Sequence, residues 1–340
     1  MQSPPALRTL DRALRYDTLG DAMHALAVSD LHGNLLLYEL LLRIADVWRI
    51  SSIFIAGDLA PGRGLRTGEG DDAAELVARQ HDFIRRDFVP LLESFFLNHR
   101  VTHIYAIQGN DDCRAVEGLL QEFDDATANF HLLNSRMTPL QDSRQMHTFF
   151  PAEVPVLHVA GYPFVPPGAG LLMDWVKYEN RVELRPPSTD PCADIFAMGL
   201  TTTDEAGRGT IAEDLSDFAG YLARSGSPVE YVPEQTIHLF HSPPHNTPLD
   251  WVPPGGQYDY LSLPDHVGSS EIRRFIERVQ PHMVVSGHCH ESMVLGDYRT
   301  FLGRTPCINP GSQSHIDVLS LVQFDVYNPQ RMKQFFINAR

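Results

Sequence analysis

Four short polar clusters stand where apolar, strand-like runs end: Asp30-Leu31-His32, Gly57-Asp58, Gly109-Asn110-Asp111-Asp112 and Gly287-His288-Cys289-His290. A fifth piece, His241, follows the run Thr236-Ile237-His238-Leu239-Phe240. Together they offer imidazole, carboxylate and amide donors, with no thiolate required. That mixture suits divalent Mn²⁺, Fe²⁺ (or Fe³⁺), Zn²⁺, Ni²⁺ or Co²⁺ better than it suits a cysteine-bound structural zinc. Two such ions ~3.5–4 Å apart can clamp a phosphate and bring a bridging water to hydroxide near neutral pH. A pair of ions needs one carboxylate between them, and Asp58, alone after its strand, is the natural bridge.

Residues so far apart in sequence must be gathered by regular elements. Ala25-Leu26-Ala27-Val28, Ser52-Ile53-Phe54-Ile55-Ala56, His103-Ile104-Tyr105-Ala106-Ile107 and His282-Met283-Val284-Val285 read as strands buried on both faces. A polar residue just past such a run sits at a strand's carboxyl end, where open α/β sheets place their ligands. Asn34 is placed to cap a helix through Leu35, Leu36, Tyr38, Leu41, Leu42, Ile44 and Ala45, whose amino end favours an anion beside Asp30 and His32. A second helical stretch lies between Asp71 and Leu97, with a break expected near Pro90. Ser270 opens a third, with Ile272, Phe275, Ile276 and Val279 on one face and Pro281 beyond its end. Runs around Ile316 to Val326 and Met332 to Ile337 read as strands joined by Asn328-Pro329. His103 and His238, inside apolar runs, read as core or edge histidines.

In this order the clusters resemble the signature of the calcineurin-like metallophosphoesterase family: D-x-H, G-D, G-N-H-[DE], a lone His and G-H-x-H. Wider strings are similar too, namely Ser29-Asp30-Leu31-His32-Gly33-Asn34, His241-Ser242-Pro243-Pro244 and Asn309-Pro310-Gly311-Ser312. The resemblance runs from about Ala25 to Ser312, with a gap in the middle. It implies an α/β layered fold, a two-sheet β-sandwich flanked by helices. It also implies a phosphoesterase that hydrolyses phosphate mono- or diesters by attack of a metal-bridging hydroxide. Carried over, Asp30, His32 and His290 would hold one ion, Asn110, His241 and His288 the other, and Asp58 would bridge.

One departure matters. Asp111 stands where the family has a His that resembles a general acid or phosphate-binding cation, helped by the next acidic residue, here Asp112. An aspartate with a reference pKa of ~3.9, beside two dications, is a poor proton donor at neutral pH. Aryl esters, anhydrides or diesters are therefore expected to outrun simple alkyl phosphates. His245 or His315 could take over the role, and Asn34 and His245 are candidate substrate contacts. The departure also keeps an alternative: a catalytically weak or inactive protein-binding scaffold on the same fold, as in a retromer coat subunit that lacks the usual His.

The 340 residues, 43% hydrophobic and 21% charged, can bury a large core. The candidate ligands span Asp30 to His290, so residues 1–340 read as a single domain. A net charge of −16 argues against general nucleic-acid binding or an anionic membrane and leaves a small phosphate ester as partner. Cys113, Cys192, Cys289 and Cys307 have no paired spacing, which suggests reduced thiols in a cytoplasm. No apolar run approaches the ~18–20 residues that a membrane span needs, and the oligomeric state is open. Asn110 and His241 are 131 positions apart. Residues 166–233, rich in Pro and Gly at the start, read either as an inserted cap over the ions that sets substrate choice or as a peripheral decoration or dimer surface. Within it Thr210-Ile211-Ala212-Glu213 forms a capping box for a helix through Leu222.

Overall fold

Period-two alternation along the strands directs their two faces into separate cores. From the first three strands, Ala25, Ala27, Phe54, Ala56, Tyr105 and Ile107 enter one core, while Leu26, Val28, Ile53, Ile55, Ile104 and Ala106 enter another. A computed structural model of the chain describes residues 24–62, 72–141, 156–168, 172–181, 199–203, 208–227, 230–252, 266–291 and 297–340. Its architecture is two mixed six-stranded sheets flanked by helices, an α/β layered fold.

The first sheet comprises β1 (His24–Val28), β2 (Ser52–Ala56), β3 (His103–Ile107), β4 (Phe130–Leu132), β11 (Val318–Asp325) and β12 (Met332–Asn338), in the order β12-β11-β1-β2-β3-β4. Strands β1 to β4 pair in parallel, and β11 runs antiparallel to both β1 and β12. The second comprises β5 (Met137–Pro139), β6 (His158–Tyr162), β7 (Thr236–Phe240), β8 (Met283–Ser286), β9 (Arg299–Leu302) and β10 (Thr305–Ile308), in the order β5-β6-β7-β8-β10-β9. Here β6, β7, β8 and β10 are parallel neighbours, with antiparallel strands at both edges. Val159, Ile237, Leu239, Met283 and Val285 meet Phe54, Tyr105 and Phe324 of the other sheet in one buried cluster. Fully burying each large apolar side chain there contributes ~1.5–3 kcal/mol, which locks the sheets face to face.

The helices follow the sequence with two adjustments. Helix α1 (Leu35–Val47) starts on Asn34, whose side chain accepts the Leu37 N–H. The stretch expected to break near Pro90 does not break. Helix α2 (Ala73–Phe83) passes through a π turn (Ile84–Phe88) into α3 (Val89–Phe96), with Pro90 in the first turn of α3. A wider turn accommodates the missing N–H and the proline ring without ending the rod. Helix α4 (Glu117–Ala126) follows β3. The Thr210 capping box forms, but α5 (Ile211–Ser216) stops at Asp217, which caps α6 (Phe218–Arg224) by accepting the Gly220 N–H. The last helix, α7 (Ser270–Val279), opens at Ser270 as expected, with Ser269 as its cap, and ends on left-handed Gln280.

Within 166–233, the described helices do not stand apart from the sandwich. Ile211 and Leu215 of α5 and Phe218 and Leu222 of α6 share a cluster with Phe240 of β7 and Phe275 of α7. Glu179 accepts the Ser269 hydroxyl (2.8 Å) and the Ser270 N–H (2.6 Å), fastening this segment to the start of α7. Pro186, Pro187, Pro191 and Cys192 lie outside the described residues. Cys113, Cys289 and Cys307 are buried and form no disulfide among the described residues. Among the described residues, no helix is long and apolar enough to cross a membrane.

Candidate metal centre

The carboxyl ends of β1, β2 and β3 in one sheet and of β7 and β8 in the other deliver the polar clusters to one place. Asp30, His32, Asp58 and His288 have positive φ of 55°, 46°, 52° and 65°. Such backbone costs ~1–3 kcal/mol per non-glycine residue and persists only where its surroundings hold it. Here the loops brace each other: the N–H groups of Asp30, His32 and Gly33 donate to the carbonyls of Gly57, Asp58 and Leu59 at 3.0, 2.9 and 2.9 Å. The Ser312 hydroxyl donates to the Asp30 carbonyl at 2.6 Å. Gly57 combines φ 102° with no room for a side chain, since a Cβ would lie 2.2 Å from His241 Nδ1. At Gly109 a Cβ would lie 2.4 Å from Asp58 Oδ1.

Ligand atoms of Asp30, His32, Asp58 and His290 all fall within 4.8 Å of one another. His290 Nε2 is 3.3 Å from Asp30 Oδ1 and 3.2 Å from His32 Nε2. Asp30 Oδ1 also accepts the His288 N–H at 3.1 Å, whereas Asp30 Oδ2 is buried without a hydrogen-bond partner among the described residues. A buried carboxylate oxygen left without a donor is costly, and a cation would satisfy it.

A second group abuts the first. Asn110 Oδ1 lies 2.9 Å from His241 Nε2 and 2.6 Å from His288 Nδ1. Asp58 Oδ2 is 3.4 Å from His241 Nε2 and 3.8 Å from His32 Nε2, so this carboxylate sits between the groups. His241 Nδ1–H donates to the Ala56 carbonyl at 2.7 Å, which turns Nε2 toward Asp58 and Asn110. Imidazoles that ligate metals are commonly held in this manner by their other nitrogen. The donor set therefore fits divalent cations.

Charges within the group are already paired. Burial pushes His241 down, but the Asp58 carboxylate outweighs it and raises this imidazole to about 10. His290 rises to about 9 against its own burial because of Asp30. Burial raises Asp58 and Asp30, yet His241 and His290 respectively drive them below the usual carboxylate range. His288, buried and near the His241 charge, falls to about 4. Protons on His241 and His290 thus stand where cations would otherwise balance the carboxylates.

The remaining sequence candidates are placed differently. Asp111 Oδ2 is 3.7 Å from His32 Nδ1, its side chain is 32% exposed, and its N–H donates to Asp58 Oδ1 at 2.8 Å. Burial and the Asp58 charge raise its pKa, opposite to the direction that neighbouring dications would impose. Asp112 accepts the N–H groups of Leu59, Ala60 and Gly109 at 2.9, 2.8 and 2.9 Å, so it fixes the loops that carry Asp58 and Asn110. Asn34 donates to the Ser314 carbonyl and to Asp317, tying α1 to the approach to β11. His245 faces buried Asp250, 3.5 Å away, beside His266.

Two organising residues receive no role from the motif reading. Gln80, fully buried on α2, donates to the carbonyls of Pro61 (3.0 Å) and Asp111 (2.7 Å) and accepts the Cys113 N–H (2.7 Å). Its signal is a polar residue on the buried face of an amphipathic helix. Asn309, inside the string noted above, lies 3.0–3.1 Å from the carbonyls of Leu249, Gly287 and Cys289.

No protein-family model matches the sequence. No curated protein matches it either. Among solved structures, the chain is similar to TT1561 of Thermus thermophilus, with a TM-score of 0.51 and 16% identity over 94% of this chain and 100% of that one. A second crystal structure aligns over the same shares with a TM-score of 0.52 and 13% identity. An archaeal phosphodiesterase aligns over 93% of this chain and 100% of its own, at a TM-score of 0.36 and 10% identity, a level that supports no inference. The first two likenesses establish the layered fold and are silent on the reaction.

Proposed function

We propose that the chain is a metal-dependent phosphoesterase acting on small phosphate mono- or diesters. Asp30, His32 and His290 would hold one divalent ion, Asn110, His241 and His288 would hold another, and Asp58 would supply a carboxylate to both. The observation that supports this most is Asp58 Oδ2 lying between His32 and His241, with the buried Asp30 Oδ2 unsatisfied beside them. When bound, a pair of divalent ions supplies Lewis acidity at phosphorus and lowers the pKa of coordinated water. The chain itself supplies orientation. Asp112 and Gln80 set the two loops, and the Asp111 N–H holds one Asp58 oxygen so that the other faces His241. Asp111 lies next to His32, and with an aspartate there in place of an imidazole the chain would donate a proton to the leaving group poorly.

The segment 166–233 enters the proposal at one point. Buried Asp174 accepts the Arg114 N–H and the Thr202 N–H, both at 2.8 Å, which ties this segment to the chain just after Asn110 and Asp111. Through that tie we assign it an influence on substrate choice.

The test is chelation and reloading. Protein stripped of metal and then given Mn²⁺ or Zn²⁺ is expected to hydrolyse p-nitrophenyl phosphate or bis(p-nitrophenyl) phosphate only after reloading, with about two ions per chain by elemental analysis. Failure to retain any ion, or an Asp58→Asn chain as active as the wild type, refutes the assignment.

A further inference from the structure

Asn309 and Cys289 connect the candidate metal centre to a second polar group. Cys289, between His288 and His290, donates its thiol to the Trp251 carbonyl at 3.4 Å, and Asn309 bridges Leu249 to Gly287 and Cys289. Segment 246–251 is thereby fixed against the turn that carries two of the candidate ligands.

At the centre of that segment is Asp250, fully buried. Its carboxylate accepts the N–H groups of Asn246, Thr247 and Gly268 at 3.0, 2.9 and 3.1 Å. It also receives the His266 Nδ1–H at 2.8 Å. A carboxylate only accepts, so this bond fixes the ring and directs Nε2 away from Asp250. His266 lines a cleft of about 390 Å³ together with Asn246, Thr247, Pro248, Trp251 and Asp297. That volume lies in the ~300–1,000 Å³ range of small-molecule sites.

The lining has a chemical bias. The Trp251 indole offers a flat apolar surface, on which aromatic rings stack with ~1–3 kcal/mol per ring. Asp297 accepts hydrogen bonds, Asn246 both donates and accepts, and His266 presents its second nitrogen. Exposed lysine and arginine are absent from the described lining, so it does not select a second phosphate.

We propose that this cleft is a recognition site for a planar, hydrogen-bonding ring, of which a nucleobase is the fitting chemistry. The esters best hydrolysed then carry such a ring. That last step rests on the phosphoester reading above; binding of the ring does not.

The protein has three tryptophans, and Trp48 and Trp175 are 4% and 1% exposed, so quenching by a small ring reports Trp251. Intrinsic fluorescence of the full chain, metal-stripped, is titrated with adenosine, which has no phosphate for the ions to attract, and with ribose as control. We expect saturable quenching by adenosine alone, absent in Trp251→Phe and weakened at least about five-fold in His266→Ala. Should His266→Ala fail to fold, Asn246→Ala, at an exposed position, carries the same expectation. No saturable quenching in folded wild-type protein overturns the site. Adenosine binding without hydrolysis of any phosphate ester keeps the site and removes the phosphoesterase reading. Hydrolysis without adenosine binding does the reverse.

Discussion

Asp58 Oδ2 lies 3.4 Å from His241 Nε2, although the two residues follow strands of different sheets. Each sheet contributes an incomplete donor set, and the pair closes the seam between them. The chemistry proposed for this chain therefore depends on the packing of the sandwich as well as on the loops.

That pairing makes metal loading a proton-releasing step. His241 and His290, raised to about 10 and about 9, are protonated at neutral pH in the metal-free chain and must be neutral to ligate. Metal affinity should rise with pH between about 6 and 9, and calorimetry in buffers of different ionisation enthalpy should detect released protons. The metal-free fold behaves in the opposite sense. Stability from His241 is fully present below the unfolded imidazole value of 6.5 and is lost as pH rises through about 10. An affinity that stays flat over this interval contradicts the assignment.

Asp111 should leave a signature in the substrate profile. Lacking an imidazole at this position, the wild-type chain should show rates that fall steeply as leaving-group pKa rises. Asp111→His should restore activity on alkyl phosphates by roughly ten-fold or more, with a smaller gain on aryl esters, since general acid catalysis is worth ~10²–10⁴. A series from nitrophenyl to methyl phosphate measures both slopes; parallel slopes would count against the role.

The convergence of Asp30, Asp58, Asn110, His241 and His288 was legible because strand ends meet by rule in layered α/β folds and each of these residues follows an apolar run. What the sequence hid depends on contacts between distant segments. Nothing local distinguishes Asp111 from Asp112, yet one faces His32 while three N–H groups engage the other. Pro90 reads as a break because proline propensity is local, whereas the π turn that absorbs it is an adjustment of the whole rod. The 166–233 segment, read as a cap, contributes helices packed on the second sheet, a fact carried by Ile211, Leu215, Phe218 and Leu222 only once Phe240 and Phe275 are seen beside them.

Gln80 offers a test of loop positioning away from the ligands. Gln80→Leu leaves the Pro61 and Asp111 carbonyls and the Cys113 N–H without this partner, each at a cost of ~1–3 kcal/mol when buried. Gln80→Glu keeps the acceptor but sets a carboxylate against two carbonyls. We expect metal affinity to fall roughly ten-fold in both. The Gln80→Glu melting temperature should recover relative to wild type as pH falls and the new carboxyl gains a proton. Wild-type metal affinity in both variants would exclude a positioning role.

His238 gives an acid-stability prediction independent of metal. Its ring packs among Phe218, Phe240 and Phe275, its Nδ1 is buried without a partner among the described residues, and its Nε2 is 3.1 Å from the Tyr231 hydroxyl. Burial lowers its pKa from 6.5 to about 3, so the folded chain resists a proton that the unfolded chain accepts. The resulting stability is fully present above 6.5 and drains away as pH falls toward about 3. This single group should contribute a slope of about 1.4 kcal/mol per pH unit over the interval. His238→Phe retains the aromatic packing and removes the titration, at the cost of the Tyr231 contact. Urea unfolding at several pH values between 7 and 4 should give the variant a shallower acid slope by about that amount, even if it is less stable at neutral pH. Equal slopes for the two proteins would locate the acid sensitivity elsewhere, with His131, lowered to about 4 by its own burial, as the next group to replace.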